Sequence, residues 1–477
     1  MKPEKISPAR AAAFAILREV EEGRAHADDL LRTRRVSRMS AVDRNLTTAL
    51  VLGVLRWQLR LDHEFRPLLA KPNAKLEREV LLALRLGAFQ LTHMQRIPAR
   101  AAIDESVELV KQSGHHFAAR MVNAVLRKLA ATQSADPATA ACPDPENLPT
   151  PKISPAADSP EALALAYAHP QWLVERWLRH YGLEACTNIC AHGQQQAVLN
   201  LRLDAPEAEA ELQAAGIALA PGHLLTAART LAASDATAAA SLKSEHARLQ
   251  DEGSQLIAEL AASNASNKDS KKEKVGDLCA APGGKTLALA ALLPKAKIVA
   301  FEARLQRFQA LEKRLALLSP RIQCRQADAA TLDAPEEFHL ILVDAPCSGT
   351  GTLGRNPEIR HRLQPADLAR QAERQRAILS AAVQALRPGG RLLYSTCSLE
   401  PEENQQVLDA VLAQHSTARQ LSLAGTLDAL EKEARLAPGA AEKIKSALTP
   451  EGALQLLPGQ LPTDGFFAAM IEKLSSC

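Results

Sequence analysis

Residues 275–286, VGDLCAAPGGKT, decide the fold. A short apolar run ends at Asp277-Leu278-Cys279, Pro282 and the pair Gly283-Gly284 turn the chain, and Lys285 opens a run of helix formers, so the segment reads as strand, tight turn and helix. Toward the C-terminus the alternation repeats. KIVAFEA (297–303), a helix through Leu318, IQCRQAD (322–328), HLILVDAP (339–346), a helix from about Asp367 to Leu386 and RLLYST (391–396) follow in turn. Strands alternating with helices predict a doubly wound, mostly parallel sheet. Such sheets place ligands at the carboxyl ends of their strands. Asp277 to Gly284, Glu302, Asp328, Asp344 to Cys347 and Ser395 to Ser398 all fall at predicted strand ends.

Toward the N-terminus the character changes. QLIAELAA (255–262) predicts a helix leading into the sheet, and the polar run Ser263 to Lys274 between them reads as a surface loop within the same domain. Helices near Pro170 and Cys186, then the alternation of Val198 to Leu203, predict a small α/β module over 161–245. Residues 131–160, rich in Pro, Ala, Ser and Thr without an apolar period, read as a linker. Before them the pattern is helical throughout. Ser7 followed by Pro8 predicts a capped helix start, with Phe14, Leu17 and Val20 at helical spacing. Further helices fit 41–69, with a break or bend, 76–94, 101–112 and 117–130. The expected organisation is an all-α bundle over 1–135, a linker over 136–160, the α/β module over 161–245 and a catalytic α/β domain over 246–477.

At 477 residues the chain exceeds one ordinary core. Hydrophobic content of 47% and charged content of 23% are those of globular proteins. With no run of about 18 apolar residues and no signal-peptide pattern at the start, a cytoplasmic protein without membrane contact is expected. Eight cysteines without a disulfide framework agree with a reducing compartment. Cys186, Cys190 and His192 offer three ligands and no second pair, where structural zinc wants four, so no metal is expected. Residues 1–130 hold 23 Lys and Arg against 14 Asp and Glu, a net of +9 in a chain whose whole net is +3, so the remainder carries −6. Such asymmetry suits a basic part that steers a polyanion toward a catalytic part, although a solvated basic surface would look the same.

The turn Cys279 to Lys285 lets backbone approach a ligand near a helix N-terminus, without the spacing of a phosphate loop. A merely tight turn would look alike. Glu302, ending the next strand, can accept both ribose hydroxyls of an adenosine cofactor, and Asp328, ending the third, can accept from an adenine amino group. Free cysteines are usually buried and inert. Cys347 (DAPCSG, 344–349) and Cys397 (STCS, 395–398) instead occupy small, hydroxyl-rich turns at strand ends, whereas Cys279 and Cys324 read as packing residues.

The motifs DLCAAPGGKT, VDAPCSGTG with RNPEIR after it, and YSTCSLEPEEN resemble those of the RNA cytosine-5 methyltransferases, specifically the bacterial 16S rRNA methyltransferase B group in which a NusB-like domain is fused to the catalytic one. ARAAAFAILREVEEG and DRNLTTALVLGVLRWQLRLD resemble its NusB-like RNA-binding domain, and DGFFAAMIEK its closing hairpin. The resemblance spans nearly the whole chain. It implies a Rossmann-like catalytic domain that uses S-adenosylmethionine, held by Cys279, Ala280, Ala281, Pro282, Gly283, Gly284, Lys285, Glu302, Asp328 and Asp344. It implies Cys397 as nucleophile, Cys347 as assistant in product release, and Asp344 as hydrogen-bond partner of the cytosine ring nitrogen. Glu302 stands where many relatives have Asp.

Carbon 5 of cytosine is a poor nucleophile, and a thiolate adding to carbon 6 makes it enamine-like, which accounts for one cysteine. Loss of the carbon 5 proton and expulsion of the thiolate motivate the second. DNA cytosine-5 methyltransferases use one cysteine in a Pro-Cys turn, so the Thr-Cys-Ser turn favours RNA over DNA. The expected partner is 16S rRNA and the expected state a monomer. A tRNA or another rRNA is the alternative substrate, and a NusB-like RNA-binding factor with a silent methyltransferase fold is the alternative class. Phosphate contacts are expected from the helical domain, Arg34, Arg35 and Arg38 among them.

Overall fold

Helix-forming residues with an apolar stripe dominate the first third of the chain, and the computed structural model folds them as helices. It describes residues 6–94, 96–134, 159–231, 246–265, 273–318 and 320–475. The sequence expectations for the linker and for the polar run after Ser263 fall largely outside them. Two compact units result, Met1–Gln196 with Leu353–Arg362, and Ala197–Thr352 with Leu363–Cys477.

In the first unit the helices Pro8–Glu21, Ala41–Phe65, Arg78–His93, Ala99–Gln112 and Ala119–Ser134 bury Leu17, Leu50, Val54, Leu61, Leu84, Val110 and Leu126 in one core. Two local expectations change. Ser7 precedes Pro8 at the helix start but makes no side-chain cap; its hydroxyl donates to Glu105 Oε2 at 2.7 Å and accepts from Arg10 Nη1 at 3.0 Å. The segment expected to break or bend over 41–69 is one helix to Phe65, capped by Ser40, whose hydroxyl accepts from Asp43 N at 3.1 Å, and it passes into a 3-10 turn at Arg66–Leu68. The small surface of Gly53 admits the Phe89 ring there, so the glycine serves packing rather than a break.

The expected 161–245 module is divided between the units. Its helices Pro160–Ala166 and Gln171–Gln194 lie with the first, where Leu163, Leu173, Val174 and Trp177 are buried, and its strands lie with the second. Residues Leu353–Arg362 join the same unit, although they lie between strands of the large sheet in sequence. Arg360 fixes them. Its guanidinium, 1% exposed, donates to the carbonyls of Arg56 (3.2 Å), Ala168 (3.2 Å), Gly193 (2.8 Å) and Leu353 (3.3 Å). Arg56 Nη2 returns a bond to Gly354 O at 2.9 Å, and Glu358 accepts from Ala27 N at 3.1 Å. Burial pulls Arg360 down to about 9, which leaves it cationic at neutral pH.

In the second unit β1 (Asn200–Leu203), β2 (Leu219–Pro221), β3 (Ala228–Leu231) and β4 (Ala247–Leu249) form an antiparallel sheet in the order β2-β3-β1-β4. Arg202 Nη1 anchors β1 to the helix Glu252–Ser263 by a 2.7 Å ion pair with Glu259. The larger sheet comprises β5 (Lys274–Asp277), β6 (Lys297–Glu302), β7 (Ile322–Gln326), β8 (Phe338–Asp344), β9 (Leu386–Thr396), β10 (Ala418–Leu421), β11 (Leu454–Leu456) and β12 (Phe466–Lys473). Its order is β10-β12-β9-β8-β5-β6-β7, with β11 on β12. Strands β5 to β9 run parallel, and β12 pairs antiparallel with β9, β10 and β11. Order reverses at β5, where the chain goes to β6 on one side while β8 lies on the other, which is the topology that opens a crevice at the strand ends.

Replacing Arg360 strands four buried carbonyls, each costing roughly 1–3 kcal/mol if left dry. Arg360→Met is therefore expected to lower stability by about 2–4 kcal/mol once relaxation is allowed for, read as an earlier urea midpoint of the helical signal.

Candidate active site

Buried β-branched and leucine residues make β8 and β9 central strands, and their register sets Asp344 opposite Ser395. Ala345 N donates to Ser395 O at 2.8 Å, and Ser395 Oγ donates to Asp344 Oδ1 at 3.0 Å. Beyond this last rung each chain turns, and the turns carry Cys347 and Cys397, whose sulfurs are 3.5 Å apart. Gly351 permits the close fit: its N–H donates to Cys397 O at 2.9 Å, its carbonyl accepts from Gly465 N at 2.8 Å, and a Cβ there would strike the Gly465 carbonyl.

Lys285 enters from the first turn of the helix Gly284–Leu292. Its ammonium donates to Asp344 Oδ2 at 2.7 Å and lies 5.6 Å from the centroid of the Phe466 ring. Burial works against this charge, yet Asp344, Cys397 and Asp277 around it hold the lysine above its usual range. The Cys347 thiol is pushed well up, first by the hydrogen bond with Cys397, then by burial and by the negative Cys397 and Glu403. The arrangement therefore favours a hydrogen on Cys347.

The turn before that helix is built by Gly283, at φ +98, where a Cβ would lie 3.0 Å from Leu311 Cδ1. Asp277 Oδ2 accepts from Thr286 Oγ1 at 2.7 Å, tying strand end to helix start. Cys279 is pushed up by burial and Cys324 likewise, in line with packing roles. Glu302 ends β6 and is 7% exposed; its Oε1 accepts from Arg304 N at 2.9 Å, and Oε2 lies 3.7 Å from Arg307. Asp328, exposed two residues past β7, accepts from Ala330 N at 3.0 Å. An acidic series at successive parallel strand ends beside a glycine turn fits an adenosine-bearing, positively charged donor. Cys279 to Lys285, Glu302, Asp328 and Asp344 are the residues that would hold it.

The sequence reading located the two cysteines, Asp344 and the turn. It did not single out Thr286 or Glu403, because a threonine at a helix start or one glutamate in the run EPEEN carries no pattern of its own. Cys186 and Cys190 are buried on one helix, and Cys186 Sγ donates to Val174 O at 3.6 Å. Among the described residues no group of three or more His, Cys, Asp or Glu is placed to hold a metal ion, and no helix is long and apolar enough to cross a membrane.

Burial pushes the Asp277 carboxyl up to about 6. The folded state thus holds its proton more tightly than the unfolded chain does. This group's contribution to stability is complete below the ordinary Asp value of about 4 and is lost as pH rises through the folded value. Asp277→Asn is expected to unfold later than the parent at pH 7, by on the order of 1–3 kcal/mol, with the difference closing near pH 4. Chemical denaturation at the two pH values measures this.

Family models match along the chain in series: the NusB family over residues 7–131, the ferredoxin-like domain of RsmF/B-like methyltransferases over 169–236, and 16S rRNA methyltransferase RsmB/F over 266–472. The Ribosomal RNA small subunit methyltransferase B of Pseudomonas putida is 31% identical over 98% of this chain and 99% of its own. That of Vibrio cholerae is 30% identical over 97% and 96%. Among solved structures, PH0851 superposes with a TM-score of 0.73 at 22% identity, covering 98% of this chain and 99% of its own, a likeness of fold. Since the match runs through the helical region, the small antiparallel sheet and the paired cysteine turns alike, the chain belongs to the ribosomal RNA small subunit methyltransferase B family.

Proposed function

We propose that this rRNA methyltransferase transfers a methyl group from S-adenosylmethionine to carbon 5 of a cytosine in 16S rRNA through a covalent cysteine–cytosine intermediate. The observation that carries the reading is the 3.5 Å pair of sulfurs at neighbouring strand ends, flanked by the Lys285–Asp344 ion pair. Cys397, as thiolate, forms a bond to carbon 6, and the displaced electron pair moves to carbon 5. The ring nitrogen takes up the proton given up by the Cys397 thiol and donates it in a hydrogen bond to the Asp344 carboxylate, which draws density toward nitrogen as the thiolate adds. S-adenosylmethionine, when bound, supplies the methyl group that carbon 5 takes. The carbon 5 proton then leaves to a base, the ring double bond re-forms, and the electrons of the carbon–sulfur bond return to Cys397, with Cys347 assisting this release.

The target base must be unstacked to admit a thiol to carbon 6. Arg34, Arg35 and Arg38 are exposed on and beside the short helix Arg34–Ser37 and would position the RNA through phosphates. The protein would work in the cytoplasm, as a monomer and without a metal.

Bisulfite sequencing of total RNA from cells with and without the gene tests the proposal. Loss of one protected cytosine in 16S rRNA is expected; loss in tRNA would move the substrate, and no change anywhere would overturn the activity. Cys397→Ala is expected to abolish both methyl transfer and trapping on RNA containing 5-fluorocytidine, and full activity would sink its assignment. With Cys347→Ala, a protein–RNA adduct should accumulate on ordinary RNA as a shifted band in a denaturing gel. Neutralising the three arginines together is expected to weaken RNA binding and reduce the slope of log affinity against log salt by up to about 3; unchanged affinity would place the RNA surface elsewhere.

A further inference from the structure

Each of the two cysteines is followed by a serine, and both serines meet one carboxylate. Glu403, 0% exposed, accepts from Ser348 N at 2.8 Å and Gln375 Nε2 at 3.1 Å on Oε1. On Oε2 it accepts from Ser398 Oγ at 2.5 Å and from the Ser348 hydroxyl. The two serine oxygens are 3.0 Å apart, and Gln375 Nε2 also donates to Pro346 O at 2.9 Å. One side chain thus gathers the residue after Cys347 and the residue after Cys397, and through Gln375 it reaches the residue before Cys347. Burial pushes its carboxyl above the usual range while these four donors oppose that shift. A buried carboxylate is kept where several donors converge on it.

Its hold on the two turns is unequal. Ser348 N, the Ser348 hydroxyl and Gln375 tie the Glu403 carboxylate to the Cys347 turn, and Ser398 Oγ ties it to the other. The Cys397 turn has anchors of its own: Asn404 Nδ2 donates to Ser398 O at 2.9 Å, and Thr396 Oγ1 donates to Asn404 Oδ1 at 2.5 Å. We propose that Glu403 is a positioning residue for Cys347: it holds the turn bearing the release thiol against a separately anchored nucleophile, so that its loss spares addition to carbon 6 and disables release. The inference rests on the proposed cysteine chemistry and adds to it a residue that touches neither substrate nor cofactor.

Glu403→Ala and Ser348→Ala, each in the full chain, test it, with Glu403→Gln as the conservative variant, since an amide can accept from the two N–H donors and donate to the two hydroxyls. Three readouts are compared with the unaltered enzyme: kcat, the KM for S-adenosylmethionine, and covalent adduct on ordinary and on 5-fluorocytidine RNA. Glu403→Ala is expected to lower kcat about tenfold or more with the cofactor KM unchanged, to keep trapping on the fluorinated RNA, and to accumulate adduct on ordinary RNA as Cys347→Ala does. Ser348→Ala should show a smaller drop of the same kind, which tests the idea even if Glu403→Ala does not fold, and Glu403→Gln should restore most of the rate. Turnover at the parent level in both alanine variants overturns the proposal. So does loss of trapping in step with turnover, because a general loosening would displace both thiols alike. Failure of the unaltered chain to trap fluorinated RNA instead overturns the cysteine chemistry beneath it.

Discussion

The parallel pairing of β8 with β9 is the constraint on which the site depends. Neighbouring strands in a sheet stand about 4.8 Å apart, and the register that sets Asp344 opposite Ser395 releases both chains at the same level. From that level Cys347 is three residues away and Cys397 two, so two short turns suffice to bring sulfurs distant by 50 residues to 3.5 Å. The strands cannot slip: Ile341, Leu342, Val343, Leu392, Leu393 and Tyr394 are all wholly buried, and a shift by one residue would exchange the faces of each. Reactive geometry here is backbone pairing first and side-chain choice second.

Charge is placed on that frame at some cost to stability. Lys285, Asp344 and Asp277 converge there: the acids around Lys285 outweigh the cost of its burial, whereas burial and the neighbouring Asp344 push the Asp277 carboxyl up to about 6. Such a cluster is better explained by the chemistry beside it than by folding. The hydrogen bond with Cys397, burial and the nearby negative groups keep the hydrogen on Cys347, while the Lys285 ammonium is held charged by the acids around it.

The segment Leu353–Arg362 departs from a simple succession of domains. The chain leaves the sheet unit shortly after the Cys347 turn, folds ten residues into the helical unit, and returns at Leu363. Arg360 makes that excursion specific, because a guanidinium can satisfy carbonyls from several segments at once and no apolar residue can. The same residue lies in the RNPEIR motif, where its spacing gives no hint of carbonyls contributed by Arg56, Ala168 and Gly193.

Much was determined by the sequence alone. The alternation after Val275 is a matter of local period, so the parallel sheet and the placement of Asp277, Glu302, Asp344 and both cysteine turns at strand ends were legible, as was the helical N-terminal third. Glycine followed by helix formers marked the turn at Gly283 because few other residues adopt its φ. What only tertiary structure decided was which distant groups share a space. The splitting of residues 161–245 between two units, the use of Ser7 to bind Glu105 in place of a cap, the single helix through Gly53, the insertion of β12 between β9 and β10, and the convergence of Ser348, Ser398 and Gln375 on Glu403 all rest on contacts between residues far apart in the chain. Periodicity reports which face of an element is apolar; it carries no information about the partner that covers it, and hydrogen bonds between distant side chains leave no period to read.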